Sequence, residues 1–133
     1  MEISVHSINV FYHANLIYLC NFVATHTQKM KNVLIIGATG QIGSELTMKI
    51  RREYPGGTTV AGYIPGSEPQ GKLLTSGPAE EVNVCNPKQI EDVVNKYDID
   101  TIYNLAAILS ATAELNPMLG WNVGIGSLVN SLE

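Results

Sequence analysis

Basic residues are scarce in this chain. Its 133 residues hold eight Lys and Arg against twelve Asp and Glu, for a net charge of -4. No basic face able to follow a phosphate backbone can be assembled from so few cations, so nucleic acid is not an expected partner. Cysteine is scarcer still: Cys20 and Cys85 lie far apart, with no CxxC and no neighbouring His. Neither a disulfide framework nor a metal site is expected, and a reducing cytoplasm is the simplest setting. The three histidines, His6, His13 and His26, all fall in the first 26 residues, which leaves none for chemistry on the rest of the chain. Long apolar runs are also lacking. The stretch from Ile8 to Thr25 is broken by His13, Asn15 and Asn21, short of the roughly 20 nearly unbroken apolar residues of a membrane span. The opening MEISVHS carries a negative charge where a secretory signal needs a positive one.

Residues 1–29 differ from the rest, with no Arg and a single Lys, Lys29. Three readings stand: a weakly ordered extension, a membrane-associating segment, or sequence upstream of a natural start at Met30. The last is favoured, because Met30-Lys31-Asn32 leads at once into Val-Leu-Ile-Ile-Gly, as in a chain that opens on its first strand. The domain boundary is accordingly placed between 1–29 and 30–133.

What is present begins at Val33-Leu34-Ile35-Ile36, an unbroken apolar run that suits a strand buried on both faces of a parallel sheet. It runs into Gly37-Ala38-Thr39-Gly40-Gln41-Ile42-Gly43. Ile42, Leu46 and Ile50 then recur every four residues as the apolar stripe of a helix, which Pro55-Gly56-Gly57 ends. Strand, glycine loop and helix in that order are the context in which a GxxGxxG spacing points to a dinucleotide. Gly37 allows the turn out of the strand, Gly40 leaves the amides open to a pyrophosphate, and Gly43 lets the helix sit close to the sheet. The helix N-terminus supplies unpaired N–H groups and partial positive charge, so the loop needs no Lys or Arg. A tight turn that binds nothing is the plainer alternative.

Thr58–Gly62 reads as the second strand. An NAD-binding domain places an acid at its end, about 20 residues past the loop, for the adenosine ribose. Here Gly62-Tyr63-Ile64-Pro65 stands there, with no carboxylate until Glu68 and no Arg for a 2′-phosphate. Tyr63 either lies against the adenosine or is a loop aromatic. Residues 65–78, rich in Gly, Pro and Ser, read as loop. Glu81–Val84 reads as a third strand, and Asn86-Pro87 caps and opens a helix whose buried face is Ile90, Val93, Val94 and Tyr97. Thr101–Ala107 comes next as the fourth strand. Asn116-Pro117 opens the last helix, with Met118, Trp121, Ile125, Leu128, Val129 and Leu132 along one side, Trp121 as core or interface packing. The expected fold is α/β: the N-terminal half of a Rossmann, doubly wound parallel sheet, with about four strands and three helices. Val84, Ala106 and Ala107 leave it on the carboxyl edge, where such sheets bind ligands.

Gly37–Gly43 together with Asn104-Leu105-Ala106-Ala107 resembles the extended short-chain dehydrogenase/reductase superfamily of NAD-dependent epimerases and dehydratases. Within it, the chain is most similar to short-chain-type L-threonine 3-dehydrogenases. Gly40–Leu46, Ser76-Gly77-Pro78 and Ile99–Ala111 carry that likeness, which spans Met30 to Glu133 and none of the first 29 residues. The resemblance implies NAD as cofactor and oxidation of L-threonine to 2-amino-3-ketobutyrate. It also implies a homodimer when the protein is full length. Carried over by position, Gly37, Thr39, Gly40, Gln41, Ile42 and Gly43 would hold the pyrophosphate. Leu105, Ala106 and Ala107 would line the adenosine and nicotinamide-ribose side, with Tyr63 and Val84 as further cofactor-binding candidates, and Ser110 would face the substrate. The sequence departs from the family where Tyr63 replaces a common Asp and Gly124 a common Asn. Gly120, Gly124 and Gly126 weaken the last helix by about 1 kcal/mol each relative to Ala.

The superfamily's catalytic Tyr-x-x-x-Lys is absent: none of Tyr12, Tyr18, Tyr54, Tyr63, Tyr97 and Tyr103 has Lys four residues on. No catalytic residue is therefore assigned, and the expectation is a fragment that binds cofactor without turning over. A nucleotide-sugar epimerase or dehydratase and a non-catalytic NAD-binding remnant are the alternatives. A Rossmann sheet sets its fifth strand beside the fourth, so one side of Thr101–Ala107 is expected to stand unpaired and to make the chain self-associate.

Overall fold

The structure is a computed structural model that describes residues 31–107 and 114–132, together with the strand at 4–7. Five parallel strands form one sheet: β1 (Ser4–Ser7), β2 (Asn32–Ile36), β3 (Thr58–Tyr63), β4 (Ala79–Glu81) and β5 (Thr101–Asn104), in the order β1-β5-β2-β3-β4. β2 is central and pairs with β3 and β5 in register, Leu34 lying between Val60 and Ile102. Its side chains alternate between two cores, as the apolar run predicts. Val33 and Ile35 join Ala61, Tyr103 and Leu46 and Ile50 of helix α1 (Gln41–Glu53). Leu34 and Ile36 join Val60, Ile102 and Ile90 and Val93 of helix α3 (Pro87–Tyr97).

The cap expected at Asn86 is present, its side chain accepting from the Lys88 amide at 3.2 Å ahead of Pro87. Asp98, left-handed at φ 52°, ends α3. Its carbonyl accepts from the Asn32 side chain at 3.1 Å, and the Asp100 carboxylate accepts from the Lys31 and Asn32 amides at 2.9 and 3.1 Å. The amino edge is thereby pinned while the carboxyl edge stays open.

Several elements differ from expectation. The third strand is Ala79–Glu81, not Glu81–Val84: the Val82 amide makes the last bond to β3, on the Tyr63 carbonyl, and the segment then turns away with Val82 and Val84 buried in the core. The fourth strand stops at Asn104, because the Asn104 side chain accepts from the Ala106 amide at 3.1 Å and takes that amide out of the ladder. Helix α2 (Gly71–Thr75) interrupts the expected loop at 65–78 and seats Leu73 in the core. Between them runs Arg51 of α1. Its guanidinium donates to the carbonyls of Thr59 (3.0 and 3.1 Å), Leu73 (2.6 Å) and Pro78 (2.6 Å) and to the Ser76 hydroxyl (2.9 Å).

The last helix reverses its expected orientation. It runs as α4 (Pro117–Trp121), one π-helical turn (Asn122–Gly126) and α5 (Ser127–Leu132), the wide turn taking in Gly124 and Gly126. Its cap at Asn116 is as expected, accepting from the Leu119 amide at 3.2 Å. Met118, Trp121, Ile125, Val129 and Leu132 are exposed, Trp121 at 64%, while Ser127 and Ser131 are the buried residues. Hydrogen bonding decides this face: Asn104 at the end of β5 needs donors and acceptors over it, and the serines supply them.

β1 has no counterpart among the expected strands. Ser4–Ser7 pairs in parallel with Thr101–Asn104, Ser4 opposite Thr101 and Ser7 opposite Asn104. The side of β5 expected to stand unpaired is therefore occupied, and the backbone of His6 lies in the sheet opposite Tyr103 rather than outside the domain.

Candidate functional site

Three segments meet at the carboxyl edge of the sheet. The first is the loop from β2 into α1. Gly37 turns with φ +81°, and its amide and that of Ala38 donate to the Gly62 carbonyl at 3.1 and 3.0 Å. A Cβ at Gly43 would lie 2.1 Å from the Gly37 carbonyl oxygen, so only glycine allows α1 to begin this close to the turn. A Cβ at Gly40 would meet nothing nearer than that same oxygen at 3.4 Å and would instead stand in the open mouth of the loop.

Gly40 is also the N-cap of α1, and it brings no side chain to cap the helix. The first internal bond of the helix is from the Ser44 amide to the Gly40 carbonyl, at 2.9 Å. The amides of Gln41, Ile42 and Gly43 stand ahead of it. The first turn holds no acid to satisfy its positive end. The Ser44 hydroxyl turns back onto the Gln41 carbonyl at 3.1 Å. Such a terminus is built for an anion.

The second segment is the exit from β5. Leu105 donates its amide to the Ile36 carbonyl at 3.0 Å, and its backbone lies where a Cβ on Gly37 would come within 3.0 Å. Asn104 beneath it donates to Ser127 Oγ at 3.0 Å and Ser131 Oγ at 3.4 Å while its oxygen receives the Ala106 amide. That buried network fixes Leu105–Ala107 against the glycine loop. Sequence reasoning misses it. The available signal is a polar residue at the inward position of a strand after Ile102, with serines four apart on a facing helix.

The third segment leads out of β3. Tyr63 is half-buried at its end, and its carbonyl accepts from the Val82 amide at 2.7 Å. Ser67 folds back so that the Thr39 hydroxyl donates to its Oγ at 3.3 Å, tying this loop to the glycine turn. Glu68 accepts from the Gly66 amide at 2.9 Å, which holds its carboxyl below the ordinary range.

Gly37, Thr39, Gly40, Gln41, Ile42, Gly43, Leu105, Ala106 and Ala107 thus come together along one edge, with Tyr63 at the end of the neighbouring strand. Val84 sits at that edge too, but its side chain is packed in the core, and it is the Val84 carbonyl that accepts from Asn130 at 3.0 Å. Ser110 lies outside the described residues. No tyrosine among the described residues is placed as a base. Burial pushes the Tyr103 phenol up to about 12, and Tyr97, at the end of α3, donates to Glu80 of β4 at 2.5 Å.

The profile of the NAD dependent epimerase/dehydratase family matches residues 33–117. The chain belongs to that family. An uncharacterized epimerase/dehydratase from Staphylococcus saprophyticus is 40% identical over 104 residues, covering 78% of this chain and 32% of its own. Among solved structures, L-threonine dehydrogenase from Clostridium difficile is 40% identical at a TM-score of 0.67, over 77% of this chain and 32% of that one. The GalE-like L-threonine dehydrogenase from Cupriavidus necator, in its holo form, is 36% identical at 0.65, over 74% and 31%. UDP-glucose 4-epimerase from Brucella ovis, at 18% identity, shares the fold. The chain spans about a third of the length of these relatives.

Proposed function

We propose that this chain holds NAD at the carboxyl edge and is the cofactor-binding part of an oxidoreductase of the L-threonine 3-dehydrogenase type. The observation that carries the reading is the uncapped N-terminus of α1 behind Gly40. Its leading amides and the absence of any acid in the first turn fit an anion such as a pyrophosphate. NAD would supply a hydride acceptor. The chain's own residues do the binding: Gln41, Ile42 and Gly43 direct amides at the phosphates. Thr39 and Tyr63 flank the adenosine side, and Leu105–Ala107, held by Asn104, form the floor towards the nicotinamide. Val84 contributes backbone only. Ser110 is assigned to the substrate end by its place after β5.

The substrate is inferred from likeness to the threonine dehydrogenases, with a nucleotide-sugar epimerase or dehydratase as the second reading, which the name of the staphylococcal relative favours. Without Tyr-x-x-x-Lys the 133-residue chain binds and does not turn over. Threonine-dependent NADH formation by a longer form would separate the two substrates.

Titration calorimetry of NAD into the chain and its Gly40→Val variant tests the site. Saturable binding is expected in the first. In the second, affinity should fall by about a hundredfold or more, since charge-assisted amide–phosphate bonds of about 1.5–3 kcal/mol each are blocked. The fold should be kept with only a modest drop in melting temperature, given the room around Gly40 and the poorer N-cap that valine makes. A folded chain that does not bind NAD, or a variant that binds as well, would overturn the proposal.

A further inference from the structure

An acid at the end of a second Rossmann strand does two things at once. It accepts from the adenosine ribose hydroxyls, and its charge repels a phosphate on the 2′ position. Tyr63 stands at that place here, and the next carboxylate along the chain is Glu68. Five residues of extended chain would carry Glu68 about 17 Å from the end of β3. The chain does not run on extended. The amide and the hydroxyl of Ser67 both donate to the Ile64 carbonyl, at 3.0 and 2.9 Å, and Gly66 sits at φ +85°. A turn of this kind keeps its ends within about 7 Å, so Glu68 follows directly on a reversal that brings the chain back towards β3.

Contacts on both sides hold Glu68 in place. Before it, Ser67 is tied to the glycine loop by the Thr39 hydroxyl at 3.3 Å; after it, Pro69 is buried. Between these anchors Glu68 is exposed, with Oε1 accepting from the Gly66 amide at 2.9 Å. It makes no salt bridge among the described residues, so no cation cancels its charge. A charge one residue away from a contact with the glycine loop acts across the adenosine end of the proposed site, well inside the Debye length of about 30 Å at 10 mM salt. It need not touch the ribose to oppose a second negative group placed there.

We propose that Glu68 selects NAD over NADP in this chain by charge alone: fixed beside the adenosine end of the site, it repels a 2′-phosphate without bonding the ribose hydroxyls. The two tasks of a strand-end acid are thereby separated, and only the second is kept. The proposal rests on the reading of the carboxyl edge as an NAD site.

The test is titration calorimetry of NAD and of NADP, each into the full chain and its Glu68→Gln variant, at 10 mM and at 1 M salt. Glutamine can still accept from the Gly66 amide, so the substitution removes the charge and keeps the turn. At 10 mM salt the wild type is expected to prefer NAD by at least tenfold. Glu68→Gln should bring the two affinities within about threefold of each other through tighter NADP binding, with NAD affinity changed less than twofold. At 1 M salt, where the Debye length is about 3 Å, the wild-type preference should fall to the level of the variant. A wild type that binds both equally at low salt, or a variant that keeps the preference, would overturn the selector and leave the NAD site standing. A variant that loses NAD affinity instead makes Glu68 a ribose ligand and overturns selection by charge alone. A folded chain that binds neither dinucleotide overturns the NAD reading, and the selector with it.

Discussion

Replacing Arg51 with alanine removes a guanidinium that holds four acceptors from three parts of the chain: Thr59 of β3, Leu73 in the middle of α2 with Ser76 at its C-cap, and Pro78 before β4. Hydrogen bonds to a charged donor contribute about 1.5–3 kcal/mol when shielded. The guanidinium is only half-buried, so each of the Thr59, Leu73 and Pro78 carbonyls is discounted to about 1 kcal/mol, with less for the exposed Ser76 hydroxyl. Loss of the packed stem adds to this, and the sum is about 3–4 kcal/mol. Arg51→Lys should recover about half, because an ammonium cannot fork across separate carbonyls. Gly77 makes the test sharper. A Cβ there would fall 2.7 Å from Arg51 Nε and 2.9 Å from Cζ, so Gly77→Ala should cost about 1–2 kcal/mol by levering the guanidinium out of place. In an Arg51→Ala background there is nothing left to displace, and that cost should vanish. Urea denaturation of the two single variants and the double variant, monitored by far-UV circular dichroism, gives the coupling directly. Costs that add to within about 0.5 kcal/mol would refute the clamp.

Gly43→Ala should behave unlike Gly40→Val, because its Cβ strikes backbone at 2.1 Å; the expected result is destabilisation of about 3 kcal/mol or more, read by the same melts, alongside lost NAD affinity. Asn104→Leu leaves the Ala106 amide and two serine hydroxyls without their shared partner, at about 2–3 kcal/mol, and calorimetry should show weaker NAD binding through a loosened Leu105–Ala107. Glu80 gives a pH signature: partial burial raises its carboxyl, but hydrogen bonds from Lys96 and Tyr97 outweigh this and hold it below its ordinary 4.5. A depressed carboxyl stabilises the fold above that ordinary value and loses its contribution as pH falls through the folded one. Denaturation midpoints of wild type and Glu80→Gln should therefore differ at pH 7 and converge towards pH 3; a gap independent of pH would dismiss the ion pair.

The elements legible in the sequence are those whose signal is local. Ile35 and Leu34 have to be buried on opposite faces of one strand, and Asn86-Pro87 has to start a helix. The glycine loop is legible because turn, close approach and open amides each exclude a side chain at a fixed position. The errors come where distant residues decide. Periodicity gives Met118–Leu132 an apolar face, but orientation is set by Asn104, which draws Ser127 and Ser131 inward. Glu81–Val84 has strand-like composition, yet pairing with β3 uses Ala79–Glu81 and frees the valines for the core. Ser76-Gly77-Pro78 stands out in the sequence only as a likeness; its physical reason is the Arg51 guanidinium resting on it. The Ser4–Ser7 pairing has no local signal at all.

That last pairing also sets a timetable. Ser4 meets Thr101 roughly a hundred positions later in the chain, so β1 leaves the ribosome long before β5, its neighbour in the sheet, exists. At about 5–20 residues per second, the interval is about 5–20 s. β2, α1 and β3 can close within that interval through contacts of short sequence separation. The opening strand can join only when β5 has been made and pinned against β2. Pairing of such long reach is slow to form and among the first to be lost. β1, made before the other strands of the sheet, is then the last of them to join, and the sheet grows from its middle outward to that edge.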